Sequence, residues 1–310
     1  MSRPRFKLPL FVWPLATYTL LVLGYAWHGW HDLRTEATAV TPILSQPSYI
    51  SQAHPTPQPV VSAVPDIVPV VQTSVGSDAA SELSHITRAS QEGEIAKILM
   101  YHYIRDVDPK KDPLGYRLSV SPALFAQQLA AIHAAGYSVI TMADLMAHKG
   151  GPKTVVLTFD DGYEDFYTTA YPMLQQYGWK ATLYIISGKI GGPYMSWQQI
   201  QDLHNNGFEI GAHTVDHPSL DKITPAQQHH EIFDSKTTLE QEIGAPVTAF
   251  CYPSGRYNAL TVQMVKQAGF TSATTTKEGI ATTKSDAFLL PRVRIDPSIT
   301  PDALLQALSR

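Results

Sequence analysis

Hydrophobic positions change character three times along the chain. From Leu8 to Trp30 no Asp, Glu, Lys or Arg interrupts a mostly apolar stretch. From about residue 35 to 93 neither a helical nor an alternating period persists. After about Glu94, short apolar runs alternate with helical patterns. Lys97–Tyr101, Ser138–Thr141, Thr154–Phe159, Ala181–Ile186, Phe208–Gly211, Val247–Tyr252 and Phe270–Thr275 read as strands. Helices are predicted between them. One opens at Ser121-Pro122, a cap followed by proline at the first helical position, and stops at Gly136. Others run from about Glu164 to Tyr177, from the capping-box pair Ser196 and Gln199 to Gly207, from Thr224-Pro225 onward, and from about Ala259 to Gly269. Continuous apolar strands joined by crossover helices imply a parallel sheet covered by helices, an α/β fold. The strand count favours closure into a (β/α) barrel, and periodicity alone leaves a doubly wound open sheet standing. In a barrel, chemistry belongs at the C-terminal ends of the strands.

The N-terminus changes the picture of where this domain works. Arg3, Arg5 and Lys7 precede the uncharged stretch, and about 20 apolar residues suffice to span a bilayer as a helix. The basic flank would stay inside and the rest would be exported. Residues 1–34 thus read as a transmembrane anchor, with a cleaved signal peptide as the rival. The first reading places the domain on the inner membrane of a bacterial envelope facing the periplasm, and the second secretes it. Pro42, Pro47, Pro55, Pro57, Pro59, Pro65 and Pro69, set among Ser, Thr, Gln and Val, make 35–93 a disordered linker. The folded domain is expected over 94–310. The formal net charge of -4 gives no bulk positive field for nucleic acid. The single cysteine, Cys251, forms no intramolecular disulfide and reads as a small buried side chain.

Candidate chemistry gathers at two strand ends. Asp160 and Asp161 follow an apolar strand in Thr158-Phe159-Asp160-Asp161-Gly162. Adjacent carboxylates in a low-dielectric site repel, and a divalent cation on one of them relieves that. A solvated Asp-Gly turn is the plain alternative. His213 and His217 follow another strand at a spacing that can put two imidazoles on one metal. Alone, such a pair is as often surface decoration. With Asp161 they make three protein ligands and leave room for a water, the pattern of a catalytic site. His102 ends the first strand and is expected on the same rim, as a participant or as a hydrogen-bonded cap. Tyr163, with Tyr103 and Tyr194, is a candidate for a sugar-stacking groove or for ordinary packing.

The strings TFDDG at 158–162 and HTVDH at 213–217, with the stretch from Ser196 to Leu220, resemble the polysaccharide deacetylases of the NodB-homology, carbohydrate esterase family 4 type. The resemblance covers most of 97–310 and implies a distorted (β/α) barrel of about seven strands. It implies a divalent metal on Asp161, His213 and His217, with Zn2+ as the first choice and Co2+, Ni2+, Mn2+ and Fe2+ as alternatives. It makes Asp160 the general base. The family's Arg-x-Pro-Tyr-Gly motif is altered here to Cys251-Tyr252-Pro253-Ser254-Gly255. The Ser254 backbone N–H remains an oxyanion candidate, with Tyr252 beside it facing substrate. The arginine that would steady the base is missing at Cys251, and Arg292 is the candidate replacement. The family's C-terminal Leu-x-x-His acid is absent as well. Leu99-Met100-Tyr101-His102 looks like that motif moved to the front, an order similar to the poly-N-acetylglucosamine deacetylases. The resemblance therefore implies a hydrolase of amide bonds, with His102 as general acid and a polysaccharide as substrate. Peptidoglycan, chitin-type oligomers and O-acetylated xylan stay open as substrates. A non-catalytic glycan-binding module is the reading of another class, supported by the missing arginine.

Overall fold

The apolar runs form strands, and the strands close on themselves. The computed structural model describes residues 97–309, so the expected anchor, the linker and the boundary near residue 94 lie outside the described residues. In chain order the strands are β1 (Lys97–Tyr101), β2 (Tyr103–Ile104), β3 (Ser119–Val120), β4 (Ser138–Ile140), β5 (Thr154–Asp161), β6 (Thr182–Ile185), β7 (Glu209–Ala212), β8 (Ala249–Cys251), β9 (Ser272–Glu278) and β10 (Leu290–Arg294). Strand β1 pairs in parallel with β10 on one side and with β5 on the other. The ring β1-β10-β9-β8-β7-β6-β5 is thus a closed parallel barrel of seven strands. Strand β4 adds to the lower part of β5, from Ser138 opposite Thr154 to Ile140 opposite Val156. Above it, from Thr158 upward, β6 takes over the same edge. Strands β2 and β3 pair separately.

Helices cover the barrel: α1 (Pro122–Ala134), α2 (Met142–Met146), α3 (Tyr171–Gln176), α4 (Trp197–Asn205), α5 (Pro225–His229), α6 (Ser235–Ile243), α7 (Ala259–Gln267) and α8 (Pro301–Leu308). The caps legible in the sequence are made. Ser121 accepts from the Leu124 N–H at 3.2 Å, and Ser196 and Gln199 form a reciprocal box. The helix expected from Glu164 begins as a π-helical turn, Phe166–Ala170, that runs into α3. Among the described residues no helix is long and apolar enough to cross a membrane.

Two apolar cores follow from the period of two. Leu99, Leu157, Phe159, Leu183, Ile210 and Phe250 point outward under the helices. Ile98, Val156, Tyr184, Ala249, Cys251 and Leu290 fill the barrel. Helix α2 plugs its base with Met142 and Leu145, and the Met142 and Ala143 N–H groups donate to Thr182 Oγ1 and Glu209 Oε2.

Strand β10 is absent from the apolar pattern because its sequence, LPRVR, contains a proline and two arginines. The chain tolerates Pro291 there because the register of β10 on β9 shifts between Leu290 and Arg292. Gly211 marks a different constraint. A Cβ at this position would lie 2.6 Å from the Tyr184 ring and 3.0 Å from the Ala249 carbonyl oxygen. The barrel holds Tyr184 only because its neighbour has no side chain. Gly211→Ala is expected to overpack the barrel and lower stability by about 1–3 kcal/mol, read from urea denaturation midpoints.

Candidate active site

Alternation along the strands decides which polar side chains enter the barrel mouth. Thr158 and Asp160 share the inward face of β5 with Val156, and Arg292 shares that of β10 with Leu290. His102 follows β1, and His213 follows β7 two positions after the inward Gly211. Asp161 ends β5, and His217 lies on the loop after β7. The structure therefore gathers residues from four strand ends, those of β1, β5, β7 and β10, at the C-terminal face.

His213 Nε2 lies 3.4 Å and His217 Nε2 3.5 Å from the same oxygen, Asp161 Oδ1. That oxygen is buried and accepts no hydrogen bond. Donor atoms about 2.1 Å from a common zinc at tetrahedral angles lie about 3.4 Å apart. The separations therefore fit a cation held between the three side chains. The hydrogen bonding fits too. His213 Nδ1 faces the Cys251 carbonyl oxygen at 2.7 Å. A carbonyl only accepts, so Nδ1 carries a proton and Nε2 is the atom left to face a metal. Burial works against a charged His213, but Cys251 and Asp161 outweigh it and hold its pKa well above the usual value, so a cation would displace the proton on Nε2. Burial, and then the neighbouring His213, push His217 down to about 4, so it is neutral near pH 7.

Asp160 is held differently. Arg292 grips it with two parallel hydrogen bonds, Nη1 to Oδ1 at 2.7 Å and Nη2 to Oδ2 at 2.8 Å. Arg292 is itself completely buried, with Nε donating to the Thr275 carbonyl and Nη1 to Thr158 Oγ1. Burial alone would raise the Asp160 carboxyl, and the guanidinium outweighs it, holding the group well below the usual carboxylate range. Cys251 Sγ sits 3.2 Å from Arg292 Nη2. The small side chain at 251 leaves space that the guanidinium from β10 occupies. His102 Nε2 lies 3.8 Å from Asp160 Oδ2, and burial lowers the pKa of the imidazole.

His102, Asp160, Asp161, His213 and His217 line a cleft of about 430 Å3, with Arg292 and Cys251 behind them. Ser254 and Tyr163 line it as well. Tyr163 stacks on Tyr194 with ring centroids 4.8 Å apart and accepts a hydrogen bond from the Tyr103 hydroxyl at 3.0 Å. Tyr252 does not reach the cleft, which corrects the expectation that it faces substrate. Its side chain is fully buried against Phe250 and Tyr257 in the outer core. The reason is the strand period: Cys251 points into the barrel, so the next residue points out.

A sequence model of the polysaccharide deacetylase domain matches residues 147–273. Bacillus subtilis YxkH, named for polysaccharide deacetylation, is 35% identical over 212 residues, 66% of this chain and 73% of its own. The structure of the Streptococcus pyogenes deacetylase PplD in complex with acetate is 34% identical with a TM-score of 0.66, covering 70% of this chain and 100% of PplD. This chain belongs to the polysaccharide deacetylase family. The poly-beta-1,6-N-acetyl-D-glucosamine N-deacetylase of Staphylococcus epidermidis is 24% identical over 70% of this chain and 87% of its own length.

In this deacetylase the backbone is strained where the chemistry gathers. Among the described residues five non-glycine positions have positive φ, and four of them are Asp161 (76°), Thr214 (67°), His217 (64°) and Ser254 (52°). Such conformations persist only where surroundings enforce them. One enforcing residue is Glu231, which the sequence did not single out. It is buried, and its Oε2 accepts from the backbone N–H groups of Val215 and Asp216, both at 2.9 Å. It pins the loop that carries His217, and nothing in the local pattern around Glu231 connects it with residues 215 and 216.

Two outcomes test this geometry. Zinc titration of chelator-treated protein is expected to show one tight site per chain. Glu231→Ala, which removes no donor atom, should weaken it within about 10–100-fold, and His213→Ala by more than that. Arg292→Ala strands a buried carboxylate and is expected to cost about 3–5 kcal/mol in urea denaturation at pH 7. The Asp160 pKa is depressed in the folded state, so the pair's stabilisation is present above the unfolded value of about 4 and fades as pH falls below it. The gap between wild type and variant should therefore narrow in acid.

Proposed function

We propose that this deacetylase removes N-acetyl groups from an N-acetylhexosamine polysaccharide of the poly-N-acetylglucosamine kind, releasing acetate, in a metal-dependent reaction. The observation that carries the reading is an orphaned carboxylate oxygen flanked by two imidazole nitrogens, beside a second carboxylate that a buried arginine keeps ionised. The name of the Staphylococcus epidermidis relative and the position of His102 on the first strand support the polymer. The charge-free stretch Leu8–Trp30 behind a basic start supports a tethered domain working outside the cytoplasm. The binding-module reading rested on the missing arginine, and Arg292 now stands against Asp160.

In this reading Asp161, His213 and His217 hold the metal. A cation held there, zinc being the first choice for one carboxylate and two imidazoles, would supply the Lewis acidity that polarises an acetyl carbonyl and acidifies a water. Asp160 takes the proton from that water. Arg292 keeps the carboxylate charged and aimed, so it is ready at every working pH. The Ser254 N–H faces the developing oxyanion, a contribution of about 3 kcal/mol for one well-placed donor. His102 then donates to the leaving nitrogen. Burial keeps its imidazole neutral at rest, and Asp160 Oδ2 is the nearest carboxylate oxygen from which it can take up the transferred proton. Tyr103, Tyr163 and Tyr194 offer aromatic surface to the sugar rings.

The test is acetate release from poly-N-acetylglucosamine oligomers by the full chain, with zinc and with chelator. Release that chelator abolishes is expected. Asp160→Asn should lose about 100-fold or more while still binding zinc. Near-normal turnover in that variant would remove Asp160 as the base, and no release from the wild type with zinc bound would redirect the search to other acetylated glycans. His102→Ala should slow amide cleavage by about 100–10,000-fold and spare p-nitrophenyl acetate, whose leaving group needs no proton. Equal losses on both substrates would argue against an acid role.

A further inference from the structure

Once Asp160 is paired with Arg292 and Asp161 is committed to the metal triad, the cleft has no carboxylate left over. It does have two cations, Lys189 and Arg294. Lys189 lies on the loop after β6 and Arg294 ends β10, so they stand on well-separated parts of the seven-strand ring. Their fields reach different groups: Lys189 acts on His217 and Arg294 on His102. Both side chains are half-buried. Lys189 has the Tyr194 ring 5.8 Å away and makes no ion pair among the described residues. Glu278 accepts the Arg294 backbone N–H at 3.1 Å, and the Arg294 guanidinium makes no ion pair among the described residues. The rim of a metal-loaded cleft therefore carries two uncompensated positive charges, one on each side of the acetyl-cleaving centre.

We infer that Lys189 and Arg294 select substrate by charge, favouring acidic neighbours of the reacting sugar and rejecting neighbours that carry a free ammonium. The inference rests on the deacetylase reading and adds a consequence to it. Each turnover converts a neutral acetamido group into an amine that is protonated near neutral pH. A chain already processed at one unit places that ammonium beside Lys189 or Arg294 when an adjacent unit enters the site. At about 4 Å under water-like screening, one such charge pair changes affinity about three- to tenfold. Processed units are then spaced along the polymer rather than contiguous, and an acidic glycan is a better ligand than a neutral one.

Binding separates this from catalysis. The zinc-loaded full chain carrying Asp160→Asn, and the zinc-loaded full chain carrying His102→Ala as a second background in case that variant folds poorly, would be titrated calorimetrically with three pentasaccharides. One is fully N-acetylated, one has its two units flanking the centre de-N-acetylated, and one has those units oxidised to uronates. At low salt the uronate pentamer is expected to bind about three- to tenfold more tightly than the neutral one and the ammonium pentamer about three- to tenfold more weakly. The spread should shrink at high salt. In Lys189→Gln/Arg294→Gln the ratios among the three should collapse to within about twofold, whichever way the neutral affinity moves. Equal affinities in the parent proteins, an unchanged order in the double variant, or no binding of any pentamer would overturn the inference. Acetate release from the neutral pentamer by wild type is a separate readout, and its failure alone would count against the deacetylase reading and not against charge selection.

Discussion

The buried pair of Asp160 and Arg292 is the constraint around which the rest of this domain is arranged. A carboxylate taken out of water on its own would protonate or destabilise the fold by several kcal/mol. Here a guanidinium from far along the sequence meets it with two short hydrogen bonds, and its remaining donors are spent on Thr158, Thr275 and Cys251 Sγ. Beneath lies the Tyr184 ring, 5.7 Å from the guanidinium carbon, which itself fits only because Gly211 lacks a side chain. The acid, its partner and their support thus come from β5, β10, β6 and β7, and the barrel must close before any of them is satisfied.

Closure also explains how a histidine at the end of the first strand can reach Asp160. A ring has no first or last position, so β1 lies between β10 and β5 whichever end of the chain it occupies. His102 comes within 3.8 Å of Asp160 because its strand pairs with β5 in register, Tyr101 beside Phe159. The cluster of Asp161, His213 and His217 depends on a different device. Asp161, Thr214 and His217 take left-handed backbone conformations, and Glu231 fixes the loop between the two histidines by its backbone amides. Strain gathered on one rim is stabilised by packing elsewhere, which is how a fold can hold ligands in place before a metal arrives.

The cleft that results is not electrically neutral. Its carboxylates are consumed by the arginine and by the triad, while Lys189 and Arg294 remain at its edges. In the proposed reaction, a site that creates amines and is rimmed by cations would work against its own product.

Much of this was legible in the chain alone. Strands with continuous apolar runs, helices with Ser121, Ser196 and Thr224 caps, and the motifs around Asp160, Asp161, His213 and His217 depend on residues close in sequence, and local pattern records them. His102 was legible as a residue at a strand end, because alternation and strand direction place it on the rim. Arg292 was named only because an arginine was missing at Cys251. What the sequence could not contain was the meeting of parts far apart along it. Strand β10 does not look like a strand until Asp160 neutralises its arginine, and Glu231 does not look like part of a site until the loop at 215 and 216 lies against it. Tyr252 was placed wrongly because a motif gives order along the chain but not which way a side chain turns. Local propensity and spacing fix elements and candidate ligands. Burial, pairing of charges and the direction of each side chain are decided only when the closed barrel brings distant strands together, because those free energies belong to contacts and not to residues.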